Sequence, residues 1–451
     1  MATQVQTAAS AAGRVDVPAA RPIPRLGIPE VDKCIQCGFC LPHCPTYRLL
    51  GIEPESPRGR IHLIEAAAQG RIPIDDRFEE HVYVCLGCRA CETACPAGVK
   101  FGTIIEAARV EIGPTGSPLA RWLTLAVLRH LMPFPARLRA AAVLLRLYQR
   151  SGLGGLARAL HLMPRRLAEM ESLLPQIPSR FFAPSLDVYP AVGARRARVG
   201  LFSGCVMSLL FADLNEATIR VLQRNGCDVV VPRNQGCCAA LNIHNGERAA
   251  AQRMARRNIE TFLAAGVDAV IINAAGCGTA SKEHHLLFRD DDPAYAKRAE
   301  AYGRLCRDLS EFLVELGLVG RLGEVRARVT YQDPCHLAHG QGVRRQPREL
   351  LRSIPGLDLA EMEGADRCCG SGGIYNLVQP GYSRRLLDEK MNAVARTRAE
   401  MVVAPNPGCM LQLAAGVRAH GLPTTVHHLI DLLDRAYAAA EERRAQSAPR
   451  T

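Results

Sequence analysis

The chain has 451 residues, of which 48% are apolar and 22% charged, and its formal net charge is +12. This length and apolar content can bury two or three cores, which excludes a single small module. Eighteen cysteines in a chain this long are too sparse for the disulfide scaffold of a small secreted domain. No uninterrupted apolar stretch approaches the ~20 residues that a membrane-spanning helix needs.

Residues 1–25 are rich in alanine and small polar residues and show no hydrophobic periodicity. This composition predicts a disordered tail, and the segment lacks the apolar core of a secretory signal. An organellar transit peptide is the alternative, because the segment contains Arg14 and few acidic residues.

Two copies of one cysteine pattern follow the tail. Each has three cysteines separated by two residues, then a fourth just before a proline: Cys34, Cys37, Cys40 and Cys44, then Cys85, Cys88, Cys91 and Cys95. This is the spacing of two-cluster bacterial ferredoxins, in which the fourth thiolate binds the neighbouring cluster. We therefore predict two 4Fe-4S clusters in an α-helical ferredoxin-like domain over residues 26–115. The expected ligands of the first cluster are Cys34, Cys37, Cys40 and Cys95, and those of the second are Cys44, Cys85, Cys88 and Cys91.

A four-thiolate zinc site is the alternative to this interpretation, since two Cys-x-x-Cys pairs would suffice for it. A zinc site would leave four of the eight thiols and both Cys-Pro dipeptides unexplained. The ferredoxin pattern accounts for all of them and indicates a protein that moves electrons.

Residues 116–195 are predicted to form a basic connector. Between residues 121 and 180 the chain holds ten arginines and two acidic residues, Glu169 and Glu171, a net charge of +8. Leucines are interleaved with the arginines, which predicts amphipathic helices. Such helices can lie on an anionic membrane surface or pack against a partner subunit, and composition does not separate the two. Nucleic acid is disfavoured as a partner, because stacking aromatics are not interleaved with the basic residues.

Short β-branched runs then alternate with helical patterns, which predicts layered α/β domains. The runs cover residues 198–202, 228–231, 268–272, 329–331 and 401–404. This half of the chain is also an internal repeat, because cysteine landmarks recur at offsets of 130, 131 and 132 residues. We therefore predict two pseudo-repeated α/β cysteine-rich domains, at residues 196–325 and 326–440.

Each repeat offers four thiols, including a vicinal pair. They are Cys205, Cys237, Cys238 and Cys277 in the first copy, and Cys335, Cys368, Cys369 and Cys409 in the second. The first and last thiols of each copy are expected at strand ends, where open α/β sheets place ligand sites. All eight are candidate ligands of one or two further iron-sulfur clusters. Cys227 and Cys306 stand outside these patterns, and we interpret them as buried apolar residues.

Other motifs are informative mainly by their absence. The sequence has no G-x-G-x-x-G after a strand, no P-loop and no nucleophile elbow, so it offers no recognisable nucleotide or flavin site. His336 and His339 follow Cys335 closely and could tune a cluster or relay a proton, although ordinary loop histidines fit as well.

Taken together, residues 30–435 resemble the iron-sulfur subunits of bacterial glycolate oxidases, and the repeats resemble the CCG domains of heterodisulfide reductase-like proteins. Besides the cysteine motifs, the resemblance rests on residues 57–60 (Pro-Arg-Gly-Arg), 273–278, 368–373 and 406–409. It implies flavin-bearing partner subunits that oxidise glycolate to glyoxylate, and electron transfer through this chain toward the membrane quinone pool. It also implies a peripheral position on the inner face of the cytoplasmic membrane, with no catalytic residue in this chain.

Two other functions fit the same motifs. One is the equivalent subunit of a lactate or anaerobic glycerol 3-phosphate dehydrogenase, and the other is a catalytic thiol-disulfide reductase. The sequence also departs from the usual CCG pattern. Ala239 stands where glycine commonly follows the vicinal pair, and the closing Cys-x-x-Cys is reduced to residues 277–280 and 409–412. Three alternatives therefore stay open: both repeats hold a cluster, one of them does, or neither does.

Overall fold

The structure is a computed structural model that describes residues 29–155, 160, 171 and 175–447. The predicted tail at residues 1–25 lies outside them. The described residues form an N-terminal helical unit, a helical connector and two repeats that are each built on a β-sheet.

Short helices build the N-terminal unit around its cysteine loops. They span Pro29–Asp32, Pro45–Leu50, Pro57–Ala68, Asp76–Tyr83, Ala90–Thr93 and Phe101–Ile112. Ser56 begins the third helix, because its hydroxyl accepts a hydrogen bond from the Gly59 amide at 2.9 Å. Ile64, Phe78 and Ile104 pack in a core that also contains cysteines of the second motif. The helices thereby fix the loops on which the cysteines lie.

The described part of the connector contains two helices. The first spans Pro118–Ala126 and continues as a π-helical turn over Val127–Leu131, and the second spans Pro135–Ser151. Ser117 begins the first helix by accepting a hydrogen bond from the Ala120 amide. Leu128 and Met132 are buried in the core of the first repeat, so one side of the connector is packed against that repeat.

The first repeat contains a five-stranded sheet in the order β1-β3-β2-β4-β5. Its strands are β1 (Val188–Tyr189), β2 (Ala197–Phe202), β3 (Cys227–Val230), β4 (Ala269–Ile272) and β5 (Cys306–Asp308). The last four are mutually parallel, whereas β1 runs antiparallel to β3. Because β1 belongs to this sheet, the first repeat takes in part of the segment that was predicted as connector to residue 195. A strand of two residues is too short to give a period-2 signal.

The second repeat contains a four-stranded parallel sheet in the order β7-β6-β8-β9. Its strands are β6 (Ala327–Tyr331), β7 (Leu357–Leu359), β8 (Met401–Val403) and β9 (Thr425–His427). Taken in chain order, these strands are arranged like β2 to β5 of the first repeat. The shared topology explains the cysteine offsets and confirms the internal repeat.

Helices flank both sheets. In the first repeat they span Cys205–Leu210, Ala212–Arg224, Ala240–His244, Arg248–Ala264, Ala275–Lys282, Pro293–Leu305 and Leu309–Leu316. In the second they span Arg345–Ser353, Tyr375–Val378, Pro380–Thr397, Pro407–His420 and Leu429–Ser447. Among the described residues, no helix is both long enough and apolar enough to cross a bilayer.

The two repeats share one hydrophobic core. Leu201 of β2 and Val329 of β6 belong to it together with Leu432 of the last helix. All five predicted β-branched runs are strands in the structure. Cys227 and Cys306 open β3 and β5 and are fully buried, which confirms that they are core residues.

Candidate iron-sulfur centres

The first cysteine set surrounds one cavity. Cys34, Cys37 and Cys40 of the first motif line it together with Cys95 of the second, and Cys91, which is predicted to bind the second cluster, also reaches it. Positive φ angles of 56° at Gln36 and 83° at Gly38 curl the first loop. Arg58 lines the same cavity and donates from Nη1 to the Gln36 carbonyl at 3.0 Å, which holds the curled loop in place. The structure thus brings together the four residues predicted to bind the first cluster.

The second set is more deeply placed. Its thiols are Cys44, Cys85, Cys88 and Cys91, all of them buried. Burial raises the pKa of the Cys88 and Cys91 thiols well above their ordinary value, and the neighbouring thiols of the set, including Cys44, raise it further. Thiols in this position become thiolates when a bound metal compensates their charge. The donor set therefore fits a four-thiolate cluster.

Arg60 lies behind this second set and is only 1% exposed. Its Nη1 donates to Thr46 Oγ1 at 3.1 Å, and Thr46 Oγ1 is 3.2 Å from Cys44 Sγ. Burial opposes the charge of Arg60, but the adjacent Cys85 and Cys44 thiols raise its pKa overall. A guanidinium group is thus held close to two of the predicted cluster ligands. Sequence reasoning noted this arginine only as part of a motif.

In the first repeat, four thiols form two close pairs. Cys205 and Cys237 have their sulfurs 3.5 Å apart, and Cys238 and Cys277 have theirs 3.2 Å apart. Cys205 begins the helix after β2 and Cys277 lies in the helix after β4, as expected for strand ends. Ala239 adopts the left-handed conformation, with φ of 69°. It therefore keeps the backbone shape that glycine usually supplies at this position.

The second repeat repeats this geometry. Cys335 lies beside Cys368, and Cys369 lies beside Cys409. The hydrogen bond with the Cys368 sulfur and burial raise the pKa of Cys335 well above its ordinary value. Gly370 has φ of 88° and occupies the position of Ala239. A Cβ atom there would lie 2.6 Å from the Ser383 carbonyl oxygen, so this position excludes any side chain.

One cavity of about 230 Å³ joins the two repeats, and thiols of both copies line it. Its walls are mainly apolar, with His244 and His336 at the side of the N-terminal unit. The two imidazole rings meet edge to face at 5.1 Å. The eight thiols that the sequence divided into two separate sets thus face a common space.

Histidines connect this space to the N-terminal unit. His336 Nε2 donates to the Gly87 carbonyl at 3.1 Å, in the loop between Cys85 and Cys88. His339 Nδ1 lies 2.9 Å from Thr93 Oγ1. Both residues therefore bridge the ferredoxin-like unit and the second repeat, a role that their sequence position did not indicate.

The second cysteine set adjoins the second repeat directly. Cys88 packs in a small cluster of buried residues that also contains Cys368, with Cys335 against it. Arg89, next in the chain, donates to the Glu283 carboxylate at 2.7 Å and so ties the same loop to the first repeat. Residues more than 190 positions apart form these contacts, which is why sequence patterns could not predict them.

Family comparisons agree with this division of the chain. The family described as a 4Fe-4S dicluster domain matches residues 30–99, and the cysteine-rich domain family matches residues 199–280 and 329–414. The family described as the linker region of the glycolate oxidase iron-sulfur subunit matches residues 119–174. The N-terminal unit is thus a two-cluster 4Fe-4S domain, followed by a characteristic linker and two cysteine-rich repeats.

Relatives match this chain over most or about half of its length. The probable glycolate oxidase iron-sulfur subunit of Bacillus subtilis is 44% identical over 90% of this chain and 93% of its own length. The glycolate oxidase iron-sulfur subunit of Escherichia coli is 33% identical over 89% of this chain and 93% of its own length. Lactate utilization protein A of Shouchella clausii is 30% identical, and the match covers 52% of this chain and 98% of that protein. The chain belongs to the family of glycolate oxidase iron-sulfur subunits.

Proposed function

We propose that this chain carries electrons within a flavin-dependent glycolate oxidase, from partner subunits that oxidise glycolate to glyoxylate toward the membrane quinone pool. It would work as a peripheral protein on the inner face of the cytoplasmic membrane. The observation that carries the proposal is that Cys88 of the N-terminal unit and Cys368 of the second repeat lie in one buried cluster. Because Cys91 of the second set also lines the cavity of the first set, the thiol sets follow one another without a gap.

The ligand assignment proposed for the N-terminal unit crosses the two motifs. Cys34, Cys37, Cys40 and Cys95 would hold one cluster, because they line one cavity, and Cys91, which also reaches it, belongs to the other set by its spacing. Cys44, Cys85, Cys88 and Cys91 would hold the other. Bound 4Fe-4S clusters supply one-electron redox chemistry, which suits a flavin donor that releases two electrons one at a time.

The first set provides the accessible end of the series. Cys37 is exposed, whereas the cysteines of the second set are buried. Ile35 and Phe39 flank Cys37 and are 69% and 65% exposed. An apolar rim around an exposed ligand suits the approach of a redox partner protein. We propose that the flavin-bearing partner contacts the chain here.

The proposal is tested by reconstitution with the flavin-bearing subunits. The purified chain alone should not oxidise glycolate, whereas the complex should reduce quinone. Cys88→Ser should abolish quinone reduction and leave turnover with an artificial dye, because the dye can take electrons from the flavin directly. Glycolate oxidation by the chain alone, or quinone reduction without it, would refute the proposal.

Two alternatives rest on specific observations. The lactate utilization relative matches about half of this chain, so lactate is the second candidate for the complex's substrate. The analogous anaerobic glycerol 3-phosphate subunit remains a third. The cavity that thiols of both repeats line favours a thiol-disulfide reductase as the alternative of another class. Four assays separate these functions. The reconstituted complex is tested for turnover of glycolate, lactate and glycerol 3-phosphate, and the chain is tested for reduction of a disulfide substrate.

A further inference from the structure

The connector presents an apolar helical face to solvent. Four large apolar side chains lie on it, with exposed fractions of 66% for Leu119, 64% for Trp122, 49% for Leu123 and 42% for Val127. They stand at positions i, i+3, i+4 and i+8 of one helical stretch, which places them on one side. Trp122 is the single tryptophan of the chain.

Packing on the opposite side fixes this face outward. Leu128 and Met132 are buried in the core of the first repeat. Asn242 Nδ2 donates to the Leu128 carbonyl at 2.8 Å, and Arg129 forms an ion pair with Glu247 at 2.6 Å. Rotation of the helix to bury Trp122 would break these contacts. The packing of the opposite side therefore keeps this apolar face exposed to solvent.

Exposed apolar side chains also lie at the start of the next helix and along it. Phe134, Leu144 and Leu147 are 43%, 67% and 57% exposed. The guanidinium carbon of Arg137 lies 4.2 Å from the centre of the Phe134 ring, so a positive charge stands beside this part of the surface. An exposed apolar face such as the one on the first connector helix marks a site of interaction with a membrane or a protein.

Three arginines of the second helix have no carboxylate partner within the described part of the chain. Arg137, Arg139 and Arg146 all donate to backbone carbonyls, and none of them pairs with a carboxylate there. Helices that lie in the plane of a membrane interface combine such arginines with tryptophan and leucine on the apolar side. Anionic lipid headgroups complement this charge, and indole rings favour the level of the headgroups.

We propose that the face formed by Leu119, Trp122, Leu123 and Val127 docks on an anionic lipid bilayer, with the helix lying in the membrane plane. The inference rests on the proposed delivery of electrons to the membrane and specifies the surface that makes the contact. The helix buries only its apolar face, and the arginines of the following helix contact the headgroups.

The experiment uses the purified chain with its clusters and vesicles of phosphatidylcholine with or without phosphatidylglycerol. We expect sedimentation with the anionic vesicles and weaker binding at high salt, because salt screens the arginine charges. Brominated lipids should quench the tryptophan fluorescence, which arises from Trp122 alone. The double variant Leu119→Glu, Leu123→Glu should bind at least tenfold more weakly at low and at high salt.

Val319→Glu is the matched control, since Val319 is 43% exposed and lies outside the connector. It should bind vesicles like the unmodified chain, and all variants should retain the same iron content. The proposal is overturned if the chain does not bind vesicles or if the double variant binds them equally well. It is also overturned if the double variant binds vesicles normally but fails to assemble with the flavin-bearing subunits, which would identify a protein interface. If the unmodified chain binds vesicles but its complex with the flavin-bearing subunits does not oxidise glycolate, the proposed function is contradicted and the membrane-docking proposal is not.

Discussion

The guanidinium group of Arg60 and the carboxylate of Glu55 form a buried ion pair behind the second cysteine set. Glu55 also meets His81 Nδ1 at 2.6 Å through its other oxygen, and Arg60 Nε donates to the His81 carbonyl at 2.6 Å. Through its bonds to His81, the ion pair thus links the turn Glu53–Glu55 to the helix Asp76–Tyr83, which precedes Cys85. It connects the two motifs whose cysteines are proposed to share a cluster.

Removal of this arginine is expected to destabilise the N-terminal unit. Arg60→Met leaves Glu55 buried without its partner, and such a loss costs about 3–5 kcal/mol. Arg60→Lys keeps the charge but cannot form the same fork of hydrogen bonds, so its effect should be smaller. Urea unfolding and the EPR signal of the second cluster measure the two effects. Arg304→Met is the control, because its ion pair with Glu300 is exposed, screened by solvent and far from the N-terminal unit in the chain. A loss no greater in Arg60→Met than in this control would contradict the prediction.

The crossed ligand assignment predicts which cluster each substitution damages. Cys95→Ser should perturb the EPR signal of the cluster held by Cys34, Cys37 and Cys40, because Cys95 lines the same cavity. Cys44→Ser should perturb the other cluster. The measurement is EPR of the reduced protein, with each cluster identified from its signal in Cys37→Ser and Cys88→Ser. Damage confined to the cluster of the substituted residue's own motif would show that the ligands are not exchanged.

Iron content reports how many thiol sets are filled. Two clusters in the N-terminal unit and one in each repeat require about 16 iron and 16 sulfide per chain after anaerobic purification. A value near eight would restrict clusters to the N-terminal unit. Stoichiometric zinc in place of iron would contradict the electron-transfer function.

Acid is expected to weaken the contact between the repeats through His428. Its Nε2 donates to the Asn273 carbonyl at 2.9 Å, and its Nδ1 accepts from the Ile430 amide at 3.1 Å, so only the neutral ring satisfies both bonds. Burial lowers the pKa of His428 to about 4 from the ordinary 6.5. The unfolded chain therefore binds a proton at higher pH than the folded chain does. The resulting stability is present above pH 6.5 and is lost as the pH falls toward 4.

The loss attributable to His428 should reach about 1.4 kcal/mol at pH 5.5. His428→Gln keeps a donor for the Asn273 carbonyl and cannot be protonated, so its unfolding free energy should depend less steeply on pH between 7.5 and 5.5. Parallel pH dependences for His428→Gln and the unmodified chain would contradict the prediction.

The cysteine spacing alone determined that the chain has a two-cluster ferredoxin-like unit and two repeated cysteine-rich domains. A short stretch of sequence reveals a cluster ligand set, because thiolates separated by two residues can bind one cluster. The buried strands were also predictable, since residues 269–272 and 401–404 are continuous apolar runs. The first strand was not, because Val188–Tyr189 is held by pairing with β3 and has no pattern of its own.

Only the tertiary structure decided how these parts are connected. Cys88 packs in the same buried cluster as Cys368, and His336 donates to the Gly87 carbonyl, although these residues are far apart in the chain. Local periodicity carries no information on such contacts, because they depend on how whole elements pack. The same holds for the connector, where the sequence predicted amphipathic helices. Burial of Leu128 against the first repeat decided that Trp122 faces outward, because a helix packed on one side must present its opposite side to the surroundings.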